Sequence, residues 1–240
     1  MNIKDMMDRV LFALSVPKCL SCGERLDYGQ NALCLKCSAE FDEFCTRNCS
    51  RCGKILRECS CSMNYLESHF VKRVIKCYRY IGHQGIVPAN SLIYSLKKDN
   101  RDDVLNFCAD KLEASIRNSV KNPENVIFTN IPRRRSAIVE YGIDHSRNLA
   151  EELAKRFGAE YIKLLNSNAK IEQKSLDHVE RLKNADFSVV KEIDLTGRDV
   201  IIIDDIITSG ASMGSAAAII RSLGCKNITA AVLAIAYKDT

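Results

Sequence analysis

Two adjacent carboxylates followed by a run of small hydroxylated residues form the part of this chain best equipped for chemistry. Asp204 and Asp205 follow the apolar run Val200, Ile201, Ile202 and Ile203, and after Ile206 and Ile207 come Thr208, Ser209, Gly210, Ala211 and Ser212. Hydroxyls and backbone N–H groups that converge at the start of a helix bind phosphate through hydrogen bonds and the helix dipole. The acids cannot share that phosphate, because like charges repel. They suit the hydroxyls of a sugar, or a divalent cation bridged through water. A sugar phosphate with its ring over the acids and its phosphate in the turn satisfies both halves.

Such a site needs a strand to deliver the acids and a helix to receive the phosphate. Four consecutive β-branched residues, Val200 to Ile203, predict a strand buried on both faces. Met213, Ala216, Ala217, Ile220 and Leu223 recur at helical spacing until Gly224 ends the helix. A second short buried strand, Asn125 to Thr129, leads through Asn130, Ile131 and Pro132 into Arg133, Arg134 and Arg135. In an open parallel sheet, ligands sit beyond the carboxyl ends of the strands, so this turn and the one after Asp205 line one crevice. Two readings of the arginines stand: they hold pyrophosphate by charge-assisted hydrogen bonds, or they form a solvated basic loop.

The remaining pattern alternates strands with helices. His69 to Ile81 reads as a strand whose basic edge carries Lys72, Arg73 and Lys76, ended by Gly82 and Gly85. Helices follow over Ile86 to Lys98 and Asp102 to Ser119, and Leu149, Leu153 and Phe157 space another that Gly158 closes. Glu160 to Leu164 and Asn227 to Ala236 read as strands, and the polar stretch Asn166 to Lys174 as a mobile loop. The expected class is α/β, a mostly parallel, doubly wound sheet flanked by helices.

Nine of the twelve cysteines crowd between Cys19 and Cys61. Cys19 with Cys22, and Cys34 with Cys37, form two CxxC pairs that suit one tetrahedral four-thiolate zinc site, with redox chemistry as the alternative. Cys49 and Cys52 form a third pair, completed by Cys59 and Cys61, with Cys45 as a competing ligand. That predicts one or two structural zinc ions, although thiolates also serve iron–sulfur clusters. A site closed by four ligands contributes folding energy rather than catalysis. Cys77, Cys108 and Cys225 stand singly in apolar surroundings and read as buried core thiols.

The formal charge of +5 over 240 residues is mild and selects neither nucleic acid nor membrane by itself. The stretch Ile3 to Val16 places Met6, Met7, Val10, Leu11 and Leu14 on one helical face. It is too short to span a bilayer, and it reads as an amphipathic helix rather than a secretory signal. The expected location is the cytoplasm, where paired thiols in a reducing medium point to metal rather than disulfides. The expected organisation is a helix over 1–18, a double zinc ribbon over 19–62 and a sheet domain over 63–240. No GxxxxGK is present, which excludes a P-loop NTPase.

The segment from Val200 to Ser212 resembles the phosphoribosyl pyrophosphate (PRPP) signature of type I phosphoribosyltransferases. With the cysteine-rich ribbon ahead of it, the chain resembles the ComF family, phosphoribosyltransferase-like proteins of bacterial competence and DNA utilisation. Tyr80 with Gly82, Leu96–Lys97, Ile131–Pro132, Gly142, Leu149–Ala150 and the set Gln173, Leu176, Arg181, Asn184 and Phe187 fit the family pattern. The resemblance implies that Asp204 and Asp205 hold the ribose 2′- and 3′-hydroxyls, while Thr208, Ser209, Gly210, Ala211 and Ser212 cradle the 5′-phosphate. Arg133 joins them as a PRPP-binding residue, and Gln173, Arg181 and Asn184 are read either as a lid or as helix-surface polar residues. Where the family carries Arg-Gly-Phe-Asn-Gln, this chain has Tyr141, Gly142, Ile143, Asp144 and His145, so no role carries over to Tyr141 or His145.

The function implied is PRPP binding in natural competence, DNA uptake or DNA utilisation. The partners implied are single-stranded DNA, met by the ribbon, Lys72, Arg73, Lys76 and the three arginines, and a competence helicase or other uptake proteins. The alternative is a phosphoribosyltransferase of nucleotide salvage, in which Mg²⁺-bound PRPP loses pyrophosphate to a nitrogen nucleophile and Asp204 and Asp205 are catalytic. The sequence shows no segment that would read a purine or pyrimidine acceptor. A third reading, a ribbon module whose sheet domain has lost its ligand, conflicts with the intact acids and turn.

Overall fold

The computed structural model describes residues 3–15, 17–80, 88–99, 101–168, 187–191 and 193–236. In chain order the helices and strands are α1 (Ile3–Ser15), α2 (Leu35–Cys45), α3 (Asn64–Ser68), β1 (Val71–Arg79), α4 (Pro88–Lys98), α5 (Asp102–Ser119), β2 (Ile127–Asn130), α6 (Arg135–Tyr141) and α7 (His145–Phe157). They continue with β3 (Glu160–Tyr161), β4 (Leu165–Ser167), β5 (Phe187–Val189), β6 (Asp199–Ile207), α8 (Ala211–Ser222) and β7 (Asn227–Ile235).

The β-branched run of β6 lies inside a five-stranded sheet of order β1-β7-β6-β2-β3, parallel throughout. Side chains alternate across a pleated strand, so the run splits its apolar surface between two layers. Ile201 and Ile203 join Ile75, Phe128 and Leu233 against α2, α4, α5 and α7. Val200 and Ile202 join Val74, Ile127 and Val232 against α3, α8 and the β4–β5 pair. Helical layers therefore cover both faces, which is why β6 can carry four consecutive apolar residues, Val200 to Ile203, rather than apolar residues at alternate positions.

The expected mostly parallel sheet with flanking helices is present. The expected strand over His69 to Ile81 is shorter, because Phe70 turns through a left-handed φ of 70° before Val71 enters the ladder. Of the polar stretch read as a loop, Asn166 and Ser167 instead extend β4, which pairs antiparallel with β5. Positions 169–174 of that stretch, Gly82, Gly85, and the residues Gln173, Leu176, Arg181 and Asn184 lie outside the described residues.

The first part of the cysteine-rich segment packs directly on the sheet domain: Leu26, Leu33 and Phe41 share one core with Tyr78, Phe107 and Leu233. Phe41 meets the Tyr78 and Phe107 rings edge-on at 5.1 and 5.6 Å. On α1 the residues read as an apolar face, Met6, Met7, Val10, Leu11 and Leu14, are all more than half exposed. Among the described residues no helix is long and apolar enough to cross a membrane.

Candidate functional site

β6 delivers Asp204 and Asp205 to the carboxyl edge of the sheet, and the two acids meet different surroundings. Asp205 is 3% exposed. Its Oδ2 lies 2.7 Å from the ammonium of Lys97, in the last turn of α4. Its Oδ1 lies 3.4 Å from Nε2 of His145, the first residue of α7, whose imidazole is buried. Burial pushes the Asp205 carboxyl up, but His145 and Lys97 together outweigh it and hold the group below the ordinary carboxylate value. Asp204 is partly exposed, and its Oδ1 accepts hydrogen bonds from Ser146 Oγ and the Asp205 backbone N–H, each at 2.9 Å. Its carboxyl is pushed well above the ordinary value, first by burial and then by the charge of Asp205.

The partners are held in place by local structure. The Asp144 side chain caps α7 by accepting from Arg147 N at 3.2 Å and also accepts from Arg133 N at 3.4 Å. This fixes the first turn of α7, and with it His145 and Ser146. The Arg133 guanidinium donates to the carbonyls of Lys97 at 2.8 Å and Ile143 at 3.1 Å, and lies 4.8 Å over the Tyr141 ring. It ties the Lys97 backbone to the α7 entrance. Arg134 and Arg135 are exposed where α6 begins.

Beyond Ile207 the chain turns through Thr208 and Ser209, both exposed, to Gly210 at a φ of 83°, the N-cap of α8. The Ser209 hydroxyl accepts from Ala211 N at 3.3 Å, and Ala211 and Ser212 are exposed in the first turn of the helix. Open N–H groups, hydroxyls and a helix dipole thus converge one turn past Asp204, and the acids and the small-residue turn stand on one edge as expected. Lys97, His145 and Ser146 were not foreseen as site residues. His145 follows a capping aspartate at a helix start, which is the one sequence signal that places it near a sheet edge.

The eight paired cysteines form two clusters, Cys19, Cys22, Cys34 and Cys37, and Cys49, Cys52, Cys59 and Cys61, each with its sulfurs within 4.8 Å of one another. Four sulfurs about 2.3 Å from one zinc ion stand roughly 3.8 Å apart. The Cys22–Cys34 and Cys52–Cys59 Sγ separations of 3.7 and 3.6 Å fit that tetrahedron. Burial, which would raise the Cys19 thiol, is outweighed by backbone N–H groups that bring it down to about 7, and Cys52 reaches about 7 chiefly through the Lys54 N–H. Cys45, the last residue of α2, is buried in the core and belongs to neither set of four sulfurs. Cys77, Cys108 and Cys225 are buried as expected.

The two knuckles are copies of one structure displaced by thirty positions, Cys-Leu-Ser-Cys-Gly-Glu-Arg-Leu from Cys19 and Cys-Ser-Arg-Cys-Gly-Lys-Ile-Leu from Cys49. Cys19 N bonds Glu24 O and Cys49 N bonds Lys54 O, both at 2.8 Å. Gly23 and Gly53 take positive φ at the same place in each turn, and the bridges Lys18 to Arg25 and Asn48 to Ile55 correspond.

Lys76 does not lie on a basic edge. It is 1% exposed, and its ammonium donates to the carbonyl of Cys61 at 2.7 Å, where its charge also faces Cys59. Four thiolates holding one divalent metal ion would carry net negative charge, which would offset the cost of burying a lysine there. Arg73 is exposed but donates to the carbonyl of Ser119 at 2.6 Å.

A phosphoribosyl transferase domain model matches residues 144–239. Competence protein F of Haemophilus influenzae is 26% identical over 225 residues, covering 88% of this chain and 93% of that protein. Ribose-phosphate pyrophosphokinase 2 of Archaeoglobus fulgidus is 51% identical over 41 residues, 17% of this chain and only 15% of the relative's length. Among solved structures, a purine phosphoribosyltransferase from Pyrococcus horikoshii matches at 19% identity and a TM-score of 0.35, over 55% of this chain and 71% of that one. A hypoxanthine phosphoribosyltransferase from Staphylococcus aureus matches at 16% identity and a TM-score of 0.34, over 57% and 67%.

Proposed function

The chain is ComF-like and carries a phosphoribosyltransferase-like domain, and on that premise we propose that it binds PRPP in DNA uptake or utilisation. The observation that carries the reading is the meeting of Asp204, a partly exposed residue, with an N–H and hydroxyl turn at the start of α8. In this reading Thr208, Ser209, Gly210, Ala211 and Ser212 hold the 5′-phosphate.

The two acids divide the remaining work. Asp204 has an oxygen beyond its bonds to Ser146 and the Asp205 N–H, and it accepts from the ribose hydroxyls. Asp205 anchors Lys97 and His145, and the Lys97 side chain, about one-third exposed, offers its further N–H donors to the pyrophosphate. Arg133 contributes by fixing the Lys97 backbone. Mg²⁺ arriving with PRPP would neutralise pyrophosphate charge, and His145, Asp204 and Asp205 form a group that could hold it.

The two clusters hold structural zinc, and twelve cysteines with no disulfide among them suit a reducing cytoplasm. Single-stranded DNA and other uptake proteins belong to the same proposal, with exposed Lys72, Arg134 and Arg135 as DNA contacts.

Calorimetry with PRPP and Mg²⁺ tests the reading. Binding is expected, and Asp204→Ala is expected to abolish it while leaving the fold intact. Unchanged affinity in that variant overturns the ribose assignment. Pyrophosphate release in the presence of one base from a panel would select the salvage enzyme instead, and binding without release, with a transformation defect on deletion, supports the competence role.

A further inference from the structure

The second cysteine cluster stands next to the phosphate turn through a single short helix. Only Ser62 separates the ligand Cys61 from Met63, the N-cap of α3. Ser62 is 4% exposed and pinned on both sides: its hydroxyl donates to Val71 O at 3.0 Å, and its carbonyl accepts from Arg51, which also reaches Glu67 of α3 at 3.2 Å. Lys76 holds the Cys61 carbonyl from β1. The segment that leaves the cluster therefore has its path fixed by ties from the knuckle and from the sheet.

That segment then presses on the turn. A Cβ placed on Gly210 would lie 3.2 Å from both Met63 Sδ and Leu66 Cδ2. One placed on Gly214 would lie 2.9 Å from Tyr65 Cε1 and 3.2 Å from the His69 ring. Both contacts are closer than a side chain at either position normally tolerates, so glycine four residues apart lets α3 lie against the backbone that begins α8. Leu66 is fully buried there.

We propose that the Cys49, Cys52, Cys59 and Cys61 site, acting through α3, is a positioning element for the phosphate turn, with Met63 and Leu66 as positioning residues. The turn has few ties of its own, Ser209 Oγ to Ala211 N and the first helical bond from Gly214 N to Gly210 O at 2.8 Å, and a loose turn binds an anion weakly because ordering it opposes binding. The metal at the second site keeps α3 in place, α3 keeps Gly210 and its neighbours in the receptive arrangement, and among the described residues the first site has no such path. The inference rests on the phosphate-turn reading, but the motion of the turn can be measured without any ligand.

The test uses the full chain and follows backbone amide exchange at residues 208–214, zinc content and calorimetric binding of ribose 5-phosphate. Cys59→Ser is expected to release one zinc ion and speed exchange of the turn about tenfold or more. Cys37→Ser, at the first site, is expected to release the other ion and leave the turn unchanged. Arg51→Ala and Leu66→Ala should retain both ions, speed the exchange, and weaken ribose 5-phosphate binding about tenfold. The Arg51 side chain is 45% exposed and its truncation leaves no core cavity, so Arg51→Ala reports even if the Leu66 variant fails to fold. Unchanged exchange in Arg51→Ala and Cys59→Ser, or an equal effect from Cys37→Ser, overturns the proposal. Faster exchange in a protein whose wild type does not bind ribose 5-phosphate upholds the clamp and removes the ligand reading instead.

Discussion

Replacing Asp205 by asparagine keeps the shape of the strand end and removes one charge. In the wild type that carboxylate is 3% exposed, 2.7 Å from the Lys97 ammonium and 3.4 Å from the His145 imidazole. Removing one partner of a fully buried ion pair costs roughly 3–5 kcal/mol, but the Lys97 side chain is 35% exposed and can turn its ammonium to water, which lowers the expected loss to about 2–3 kcal/mol. In a domain of this size that corresponds to a fall of about 4–12 °C in Tm. Urea unfolding of zinc-loaded protein at pH 7 reads the loss directly as a lower midpoint at constant slope.

The pH dependence supplies the sharper check. Asp205 titrates below its ordinary 3.8, so its stabilisation is complete above that value and disappears only as pH falls through the depressed native one. The gap between wild type and variant should therefore not narrow between pH 8 and pH 5. A gap below about 0.5 kcal/mol, or one that closes by pH 5, would refute the picture of an ionised anchor held by Lys97 and His145. A double-mutant cycle with Lys97→Met should return a coupling of about 1–2 kcal/mol.

Asp204→Asn has the opposite sign: the raised carboxyl contributes stability at low pH that is lost as pH rises through its native value, so the neutral variant should gain on the order of 1 kcal/mol at pH 7 while losing PRPP affinity in calorimetry. Elemental analysis should find two zinc ions per chain, and a strong chelator should release both and abolish the native fold of the ribbon as followed by circular dichroism. Arg156 joins α7 to α5 through Asp110, Asn106 and Glu113 while bonding Glu152 at 2.7 Å, so Arg156→Met should cost about 1–2 kcal/mol in urea unfolding and leave ligand binding unchanged.

The acids, the turn and the strand that carries them are legible in the chain because they are contiguous: Val200 to Ser212 holds the whole transition from buried strand to helix start. Lys97, His145 and Ser146 are not, because their link to the acids exists only once α4 and α7 close over the sheet edge. His145 stands where the family pattern has glutamine, and that departure hid a side chain the fold places against Asp205. Lys76 misleads for another reason: a lysine beside Arg73 in an alternating strand normally faces water, and only the thiolate cluster beside it makes an interior position favourable. The second cysteine set is ambiguous in one dimension, where Cys45 is as near as Cys59, and settles only when α2 draws Cys45 into the core. The thirty-residue copy of the knuckle, by contrast, is visible in the residues themselves as a repeated Cys-x-x-Cys-Gly-x-x-Leu.

The strand order has a consequence for how the chain is made. β1 lies at one side of the sheet with β7 as its hydrogen-bonded neighbour, Val71 opposite Ile228, and β7 also pairs with β6. During synthesis β1 leaves the ribosome before β2 to β6, and its ladder partner β7 follows them. Until then β1 presents unpaired N–H and C=O groups and the apolar residues Val74, Ile75 and Tyr78. The knuckles need no such wait, since both sets of ligands are complete by Cys61. A nascent chain that takes up metal as these sulfurs emerge would fold its ribbon first and carry the start of β1 on a finished support through Ser62 and Lys76. A ribosome that stops before Asn227 would release a product with a formed ribbon, an unpaired β1 and no closed sheet.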